Sequence, residues 1–195
     1  MDKRGYFMHI DRQILLDIVM KTLHKMSNHR IAHGHKLTWA NWIDIPFVAW
    51  LSEEIIMLDP KKNCRVVGTV EDWKGLDHSK SLFYTNDGCG LPIGNLTSQL
   101  LSNVYLNEFD QYCKRMLGCK HYGRYVDDSF IVSVDHGWLL SLVPKIQTFL
   151  QERLHLELHM GKLHIVNCQY GAEFLGGFVK KSRIYTSNVP LIGMI

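Results

Sequence analysis

Apolar positions along the chain repeat with helical spacing in some stretches and alternate in others. Gly5 to Ile10 reads as the end of a strand and a turn. From Asp11, a plausible N-cap, the spacing turns helical, and Ile14, Leu15, Ile18, Val19, Leu23 and Met26 share a face. Residues 27–38 are polar and rich in histidine, hence a loop. A second helix is expected from Ile45 to Met57, assigned to the core by its Trp and Phe content. Asp59-Pro60 breaks it, because the residue before a proline avoids the helical region. Residues 61–90 are irregular. A long helix then carries Leu100, Leu101, Val104, Tyr105, Phe109, Tyr112, Met116 and Leu117 as one stripe, stopped by Gly118.

Alternation resumes around Tyr125-Val126-Asp127-Asp128, which predicts a hairpin. Trp138, Leu139, Leu142, Val143, Ile146, Phe149, Leu150 and Leu154 mark another amphipathic helix, bent or restarted at Pro144. Leu163 to Cys168 and Glu173 to Tyr185 alternate like strands, with a bulge or bend at Gly176-Gly177. This order predicts an α+β domain with helices on one face of an antiparallel sheet.

The 195 residues, 46% apolar, suffice for a large domain with a real core. A formal charge of +3 permits a nucleic-acid partner without requiring one. The five cysteines (Cys64, Cys89, Cys113, Cys119 and Cys168) contain no C-x-x-C pair. That argues against a disulfide framework and for a reducing, cytoplasmic setting. No apolar leader follows Met1, and the stretch from Leu37 to Leu51 is too polar to span a bilayer, so no membrane partner is expected. His29 and His33 have i,i+4 spacing, but a zinc site would need a helix there and a third ligand such as Cys64. Lys114, Arg115, Lys120, His121 and Arg124 form a basic run, either a solvated face or a contact to backbone phosphates.

The adjacent carboxylates of Asp127 and Asp128 change the picture most. At a tight turn they repel each other and help folding little. They are useful when a divalent cation lies between them and a third carboxylate, since Mg²⁺ takes hard oxygen ligands. A pair of ions roughly 3.5–4 Å apart clamps both the attacking and the leaving oxygen of a phosphoryl transfer. Taken alone, such a dipeptide is more often a solvated turn.

Its surroundings weigh against that. Asp2-Lys3-Arg4-Gly5-Tyr6-Phe7 resembles the first catalytic-aspartate motif of reverse transcriptases. Gly90 to Gln99 resembles their template- and nucleotide-contacting loop and helix, and Tyr125-Val126-Asp127-Asp128 their paired-aspartate hairpin. His159-Met160-Gly161-Lys162 looks like the segment bearing a lysine near the triphosphate, and Glu173-Phe174-Leu175-Gly176 like the primer-grip turn. The nearest likeness is to bacterial retroelement enzymes. Ser98-Gln99, with Lys80-Ser81-Leu82-Phe83 upstream, resembles the diversity-generating retroelement branch; retron-type and phage-defence enzymes are alternatives.

The resemblance implies a right-hand polymerase palm over residues 1–170 and a primer-grip hairpin with the start of a thumb over 171–195. It implies Mg²⁺, with Mn²⁺ as an alternative, held by Asp2, Asp127 and Asp128, and Lys162 as a catalytic cation or proton donor. Tyr6, Phe7, Gly94, Asn95, Ser98, Gln99 and Tyr125 would contact nucleotide or template, with Phe7 stacking under the sugar. Phe174, Leu175 and Gly176 would support the primer end. The implied partners are an RNA template, a DNA or RNA primer, dNTPs and a small basic accessory protein. Family members place fingers before the first aspartate. Here it is the second residue, so the fingers are expected to be largely missing, the chain N-terminally truncated and Asp2 held on a frayed end. A remnant that binds nucleic acid without catalysis is the rival expectation.

Overall fold

The computed structural model describes residues 1–33, 43–62, 64–65 and 67–186. The fold is α+β, and its antiparallel strands lie in two small sheets among the described residues. The chain starts extended, and residues 1–4 run between the middle of the molecule and its later part. The Ser129 N–H donates to the Met1 carbonyl at 2.9 Å, the His159 N–H to the Asp2 carbonyl at 2.9 Å, and the Arg4 N–H to the Glu157 carbonyl at 3.0 Å. Asp2 is therefore bonded on both flanks, where a frayed end was expected.

Gly5, at φ 53°, then turns the chain into a short helix α1 (Tyr6–His9), where the alternation had suggested a strand end. A Cβ on Gly5 would lie 3.1 Å from the Ser79 carbonyl oxygen, so the turn needs glycine. Helix α2 (Arg12–His33) is capped by Asp11, whose carboxylate accepts from the N–H groups of Gln13 and Ile14 at 2.9 and 3.1 Å. It runs further than expected: residues 27–33 are helical, and residues 34–38 of the expected loop lie outside the described residues. Helix α3 (Ile45–Met57) has the expected bounds, with Asp44 as N-cap. It is not core. Phe47 and Trp50 are exposed, and Ile56 is its one buried side chain.

Helix α4 (Leu96–Gln111), capped by Asn95, is the central element. Its buried face is Ser98, Ser102, Tyr105, Leu106 and Phe109. A π-helical turn, Tyr112–Met116, follows and shifts the stripe, burying Cys113 and leaving Met116 exposed. Strands β1 (His121–Tyr125) and β2 (Asp128–Val132) form the expected hairpin, with Gly123 opposite Phe130. Helix α5 (His136–Leu154) is one continuous helix with Pro144 inside it. It buries Leu142, Ile146, Leu150 and Leu154. These join Ile10, Leu15, Tyr105, Leu106, Phe109, Leu156 and Leu158 in one core. The Tyr105 hydroxyl caps the end of α5 through the Leu154 carbonyl at 2.7 Å.

Residues 163–168 are not a strand. A three-stranded meander closes the described chain: β3 (Ala172–Phe174), β4 (Gly177–Val179) and β5 (Ile184–Thr186). No helix among the described residues is long and apolar enough to cross a membrane. The five cysteines are free. The helix that a zinc site required does reach His33, but the side chains of residues 29–33 and all of His35 lie outside what is described. Cys64 is exposed and directed at the Lys61 carbonyl.

Candidate active site

Val126 and Asp127 are the central residues of the turn between β1 and β2, and Val126 has φ 52°. A left-handed β-branched residue costs about 1–3 kcal/mol and persists only where its surroundings hold it. Two cations hold it here. Arg124 Nη1 donates to the Val126 carbonyl at 2.6 Å, and Lys3 Nζ to the Asp127 carbonyl at 2.6 Å. Arg124 is itself fixed by Asp110, whose carboxylate takes its Nε and Nη2 at 2.8 and 2.7 Å. The Tyr122 hydroxyl donates to the same carboxylate at 2.6 Å.

The antiparallel bridge of Lys3 with Leu158 keeps residues 2–4 extended, so Asp2 and Lys3 point to opposite sides. Lys3 goes beneath the hairpin, with its ammonium 4.9 Å from the centre of the Phe109 ring. Asp2 goes to the other side, where its carboxyl group lies within hydrogen-bonding reach of that of Asp127. Lys162 Nζ donates to Asp2 Oδ2 at 2.6 Å. Residues distant in sequence thus bring two carboxylates and one ammonium together.

Burial, and then the charges of Asp2 and Asp128, push the Asp127 pKa up. Burial acts the same way on Asp2, but the hydrogen bond and charge of Lys162 outweigh it and hold Asp2 below the usual carboxylate value. Lys162, mostly exposed, has its own pKa raised by Asp2. Two carboxylates forced together, one of them with raised proton affinity, form a hard-oxygen pair that a divalent cation would relieve. That chemistry fits Mg²⁺. Among the described residues no group of three or more His, Cys, Asp or Glu is gathered closely enough to hold an ion. Asp128, the first residue of β2, acts on Asp127 through its charge without joining one compact cluster.

The other expected contacts divide. Tyr6 is buried in the core, and its hydroxyl donates to the Ser102 carbonyl. Phe7 is half-buried, edge-on to Tyr6 at 5.3 Å. Gly94 has φ 90° with open space where a side chain would stand. Asn95 is engaged as the α4 cap, accepting from Thr97 N at 3.2 Å. Ser98 is buried, whereas Gln99 and Tyr125 are exposed. Phe174 packs edge-on against Phe130 with ring centres 5.1 Å apart. That contact ties the β3–β4 hairpin to β2, and a Cβ on Gly123 would lie 2.5 Å from the Phe130 ring, so glycine gives the ring its place.

Sequence reasoning missed Lys3, Asp110, Tyr122 and Ser129. It also placed Arg124 in a basic face. The arginine turns inward, and its side chain is only 9% exposed. The one visible signal was the lysine at position 3, directly after Asp2 in the motif.

A family model described as reverse transcriptase (RNA-dependent DNA polymerase) matches residues 13–179. No curated protein matches the chain. The matched span holds Gly94 to Gln99, Asp127, Asp128, Lys162 and Phe174 to Gly176. It starts after Asp2, Tyr6 and Phe7, so the place of Asp2 in the site rests on its contacts with Asp127 and Lys162. With most of its length matched, the chain belongs to the reverse transcriptase (RNA-dependent DNA polymerase) family.

Proposed function

We propose that the chain is the palm of a Mg²⁺-dependent RNA-directed DNA polymerase, which adds dNTPs to a primer 3′-OH on an RNA template. The observation that supports this best is the Asp2–Asp127 carboxyl pair with Lys162 on Asp2. Asp2 and Asp127 would hold the cations, with Asp128 as an outer ligand. When bound, Mg²⁺ supplies charge stabilisation for the attacking and leaving oxygens of the transferring phosphoryl group.

The chain's own residues do the rest. Asp127 and Asp2 present their oxygens on one side of the extended segment, already gathered before substrate arrives. Lys162 keeps its proton on Nζ, favoured by Asp2, and brings a positive charge to the side where pyrophosphate would leave. Gly94 leaves space for a nucleotide to approach the backbone. Gln99 and Tyr125 offer exposed polar and aromatic contacts to template and base. Phe7 lies near the carboxylates in sequence, and its half-exposed ring would stack under the sugar. Ser98-Gln99 and Lys80 to Phe83 support a bacterial retroelement origin, closest to the diversity-generating branch.

Primer extension on an RNA template with Mg²⁺ and dNTPs tests this. Asp127→Ala should abolish extension, and incorporation that survives the substitution would disprove the assignment.

A further inference from the structure

Lys3 is 2% exposed, and its ammonium has no carboxylate partner. Its hydrogen bonds go to the Asp127 carbonyl at 2.6 Å and the Ser129 hydroxyl at 3.1 Å, and its remaining side faces the Phe109 ring. Arg124, a like charge, stands close by, and the carboxylates of Asp127 and Asp110 favour the ammonium only through space, without an ion pair. Burying an ammonium whose hydrogen bonds go to neutral acceptors costs several kcal/mol, and an apolar side chain of the same length would fold at least as well. Global stability therefore gives no reason for a lysine at this position.

The turn gives one. Val126 and Asp127 lie in a two-residue connection whose first residue is left-handed, and each of their carbonyls accepts from a buried cation. The two bonds hold successive peptide planes from below and stop them rotating. The same turn carries the Asp127 carboxylate toward Asp2 on the upper side. Because Asp2 and Lys3 are neighbours on one extended segment, each fixes the other's height. Lys3 grips the turn from beneath, while Asp2 meets its carboxylate from above.

We propose that Lys3 is a positioning residue for the metal-binding pair. Through the Asp127 carbonyl, and together with Arg124, it holds the turn so that the carboxylates of Asp2 and Asp127 stay gathered to receive a divalent cation. The proposal rests on the polymerase assignment for its meaning, but its primary test does not require polymerisation.

The test is Mn²⁺ binding to the 195-residue chain, followed by the spin-resonance signal of free Mn²⁺, for the unaltered protein and for Lys3→Met. Outer partners of metal ligands typically matter about 10–100-fold in affinity or activity. Lys3→Met should therefore bind Mn²⁺ about 10–100-fold more weakly while melting at the same temperature or higher. In primer extension its kcat should fall by a similar factor and the KM for dNTP should stay within about twofold, the split expected of a group acting on geometry. Unchanged Mn²⁺ affinity in a folded Lys3→Met protein overturns the proposal. Should Lys3→Met fail to fold, Ser129→Ala decides. It removes the second anchor of the ammonium and a long hydrogen bond from the Ser129 hydroxyl to the Met1 carbonyl (3.4 Å), while the Ser129 N–H still holds that carbonyl, so Mn²⁺ binding weakened several-fold supports the proposal and wild-type binding overturns it. A chain that binds Mn²⁺ but extends no primer favours the non-catalytic remnant over an active polymerase, and the Mn²⁺ ratio still decides the role of Lys3.

Discussion

Two hairpins among the described residues have two-residue connections, and they are built differently. Between β1 and β2 the central residues are Val126 and Asp127, and only Val126 has a positive φ, 52°. That sign pattern is the one in which glycine usually stands first. Between β3 and β4 they are Leu175 and Gly176, with φ 52° and 75°, both positive as in a type I′ turn. Each thus places a branched apolar residue where the backbone disfavours it. The first turn is gripped through its carbonyls by Arg124 and Lys3 and sits over the core. The second is displayed to solvent, with Leu175 52% exposed, and is joined to the first sheet through Phe174 on Phe130. Similar local strain is clamped beside the carboxylates in one turn and left on the surface in the other.

Breaking the first turn should cost far more than breaking the second. Asp127→Asn keeps its shape but removes one ligand charge. The metal contribution is worth several kcal/mol, so extension should drop about a thousandfold or more in kcat. An apolar-to-small change at Leu175 should leave kcat within a few fold and act on primer affinity. Equal losses at both turns would remove the distinction. Next in size is Arg124→Leu. It strands Asp110, whose side chain is 19% exposed, and frees the Val126 carbonyl. Removing one partner of a buried pair costs about 3–5 kcal/mol, visible as a lower denaturant midpoint. A midpoint shift near zero would show that the arginine is not bracing the hairpin.

Much of this was legible in the sequence. Helix α3 was bounded correctly because Asp44, Pro46 and Asp59-Pro60 write its start and stop in local chemistry. The β1–β2 hairpin was found because alternation and turn lie within a dozen residues. What failed depends on partners distant in sequence. The aromatic residues of α3 are exposed because composition cannot say whether anything packs on them. The α4 stripe drifted because the π turn at Tyr112–Met116 inserts an extra residue per turn, turning Met116 out and Cys113 in, and because Ser98 and Ser102 occupy the buried face. Arg124 was placed on a basic face and Lys3 was passed over because charge normally marks a surface. Only tertiary contacts show that one meets Asp110 and the other two neutral oxygens.

The acid limb should also separate the hairpins. Asp127, with its pKa raised by burial and then by Asp2 and Asp128, holds a proton when folded that the unfolded chain has lost above about pH 3.9. Its contribution to stability is therefore fully present below that value and fades as pH rises through the raised folded pKa. Asp2, lowered by Lys162 against its own burial, contributes above about pH 3.9 and loses this as pH falls. A cation needs both carboxylates ionised, so Mn²⁺ binding should weaken as pH falls through the raised Asp127 value and, below that value, should release a proton. Titration calorimetry across the acid range measures the affinity, and two buffers of different ionisation heat measure that proton. Mn²⁺ affinity that does not weaken as pH falls would mean Asp127 is not a ligand.

The smallest effect belongs to the second turn and asks why Leu175 is there at all. A left-handed leucine costs roughly 1–2 kcal/mol in strain, and asparagine followed by glycine is the pair that a type I′ turn favours. Leu175 is half out in solvent, so its replacement loses little packing. Leu175→Asn should therefore raise stability by about 0.5–1 kcal/mol, read from the denaturant midpoint at unchanged slope. If the side chain is retained for an apolar contact with the primer end, the same variant should bind a primer–template duplex several-fold more weakly while it melts later. A more stable protein with undiminished duplex affinity would remove Leu175 from the primer grip and leave Phe174, anchored on Phe130, as the residue that sets the height of that hairpin.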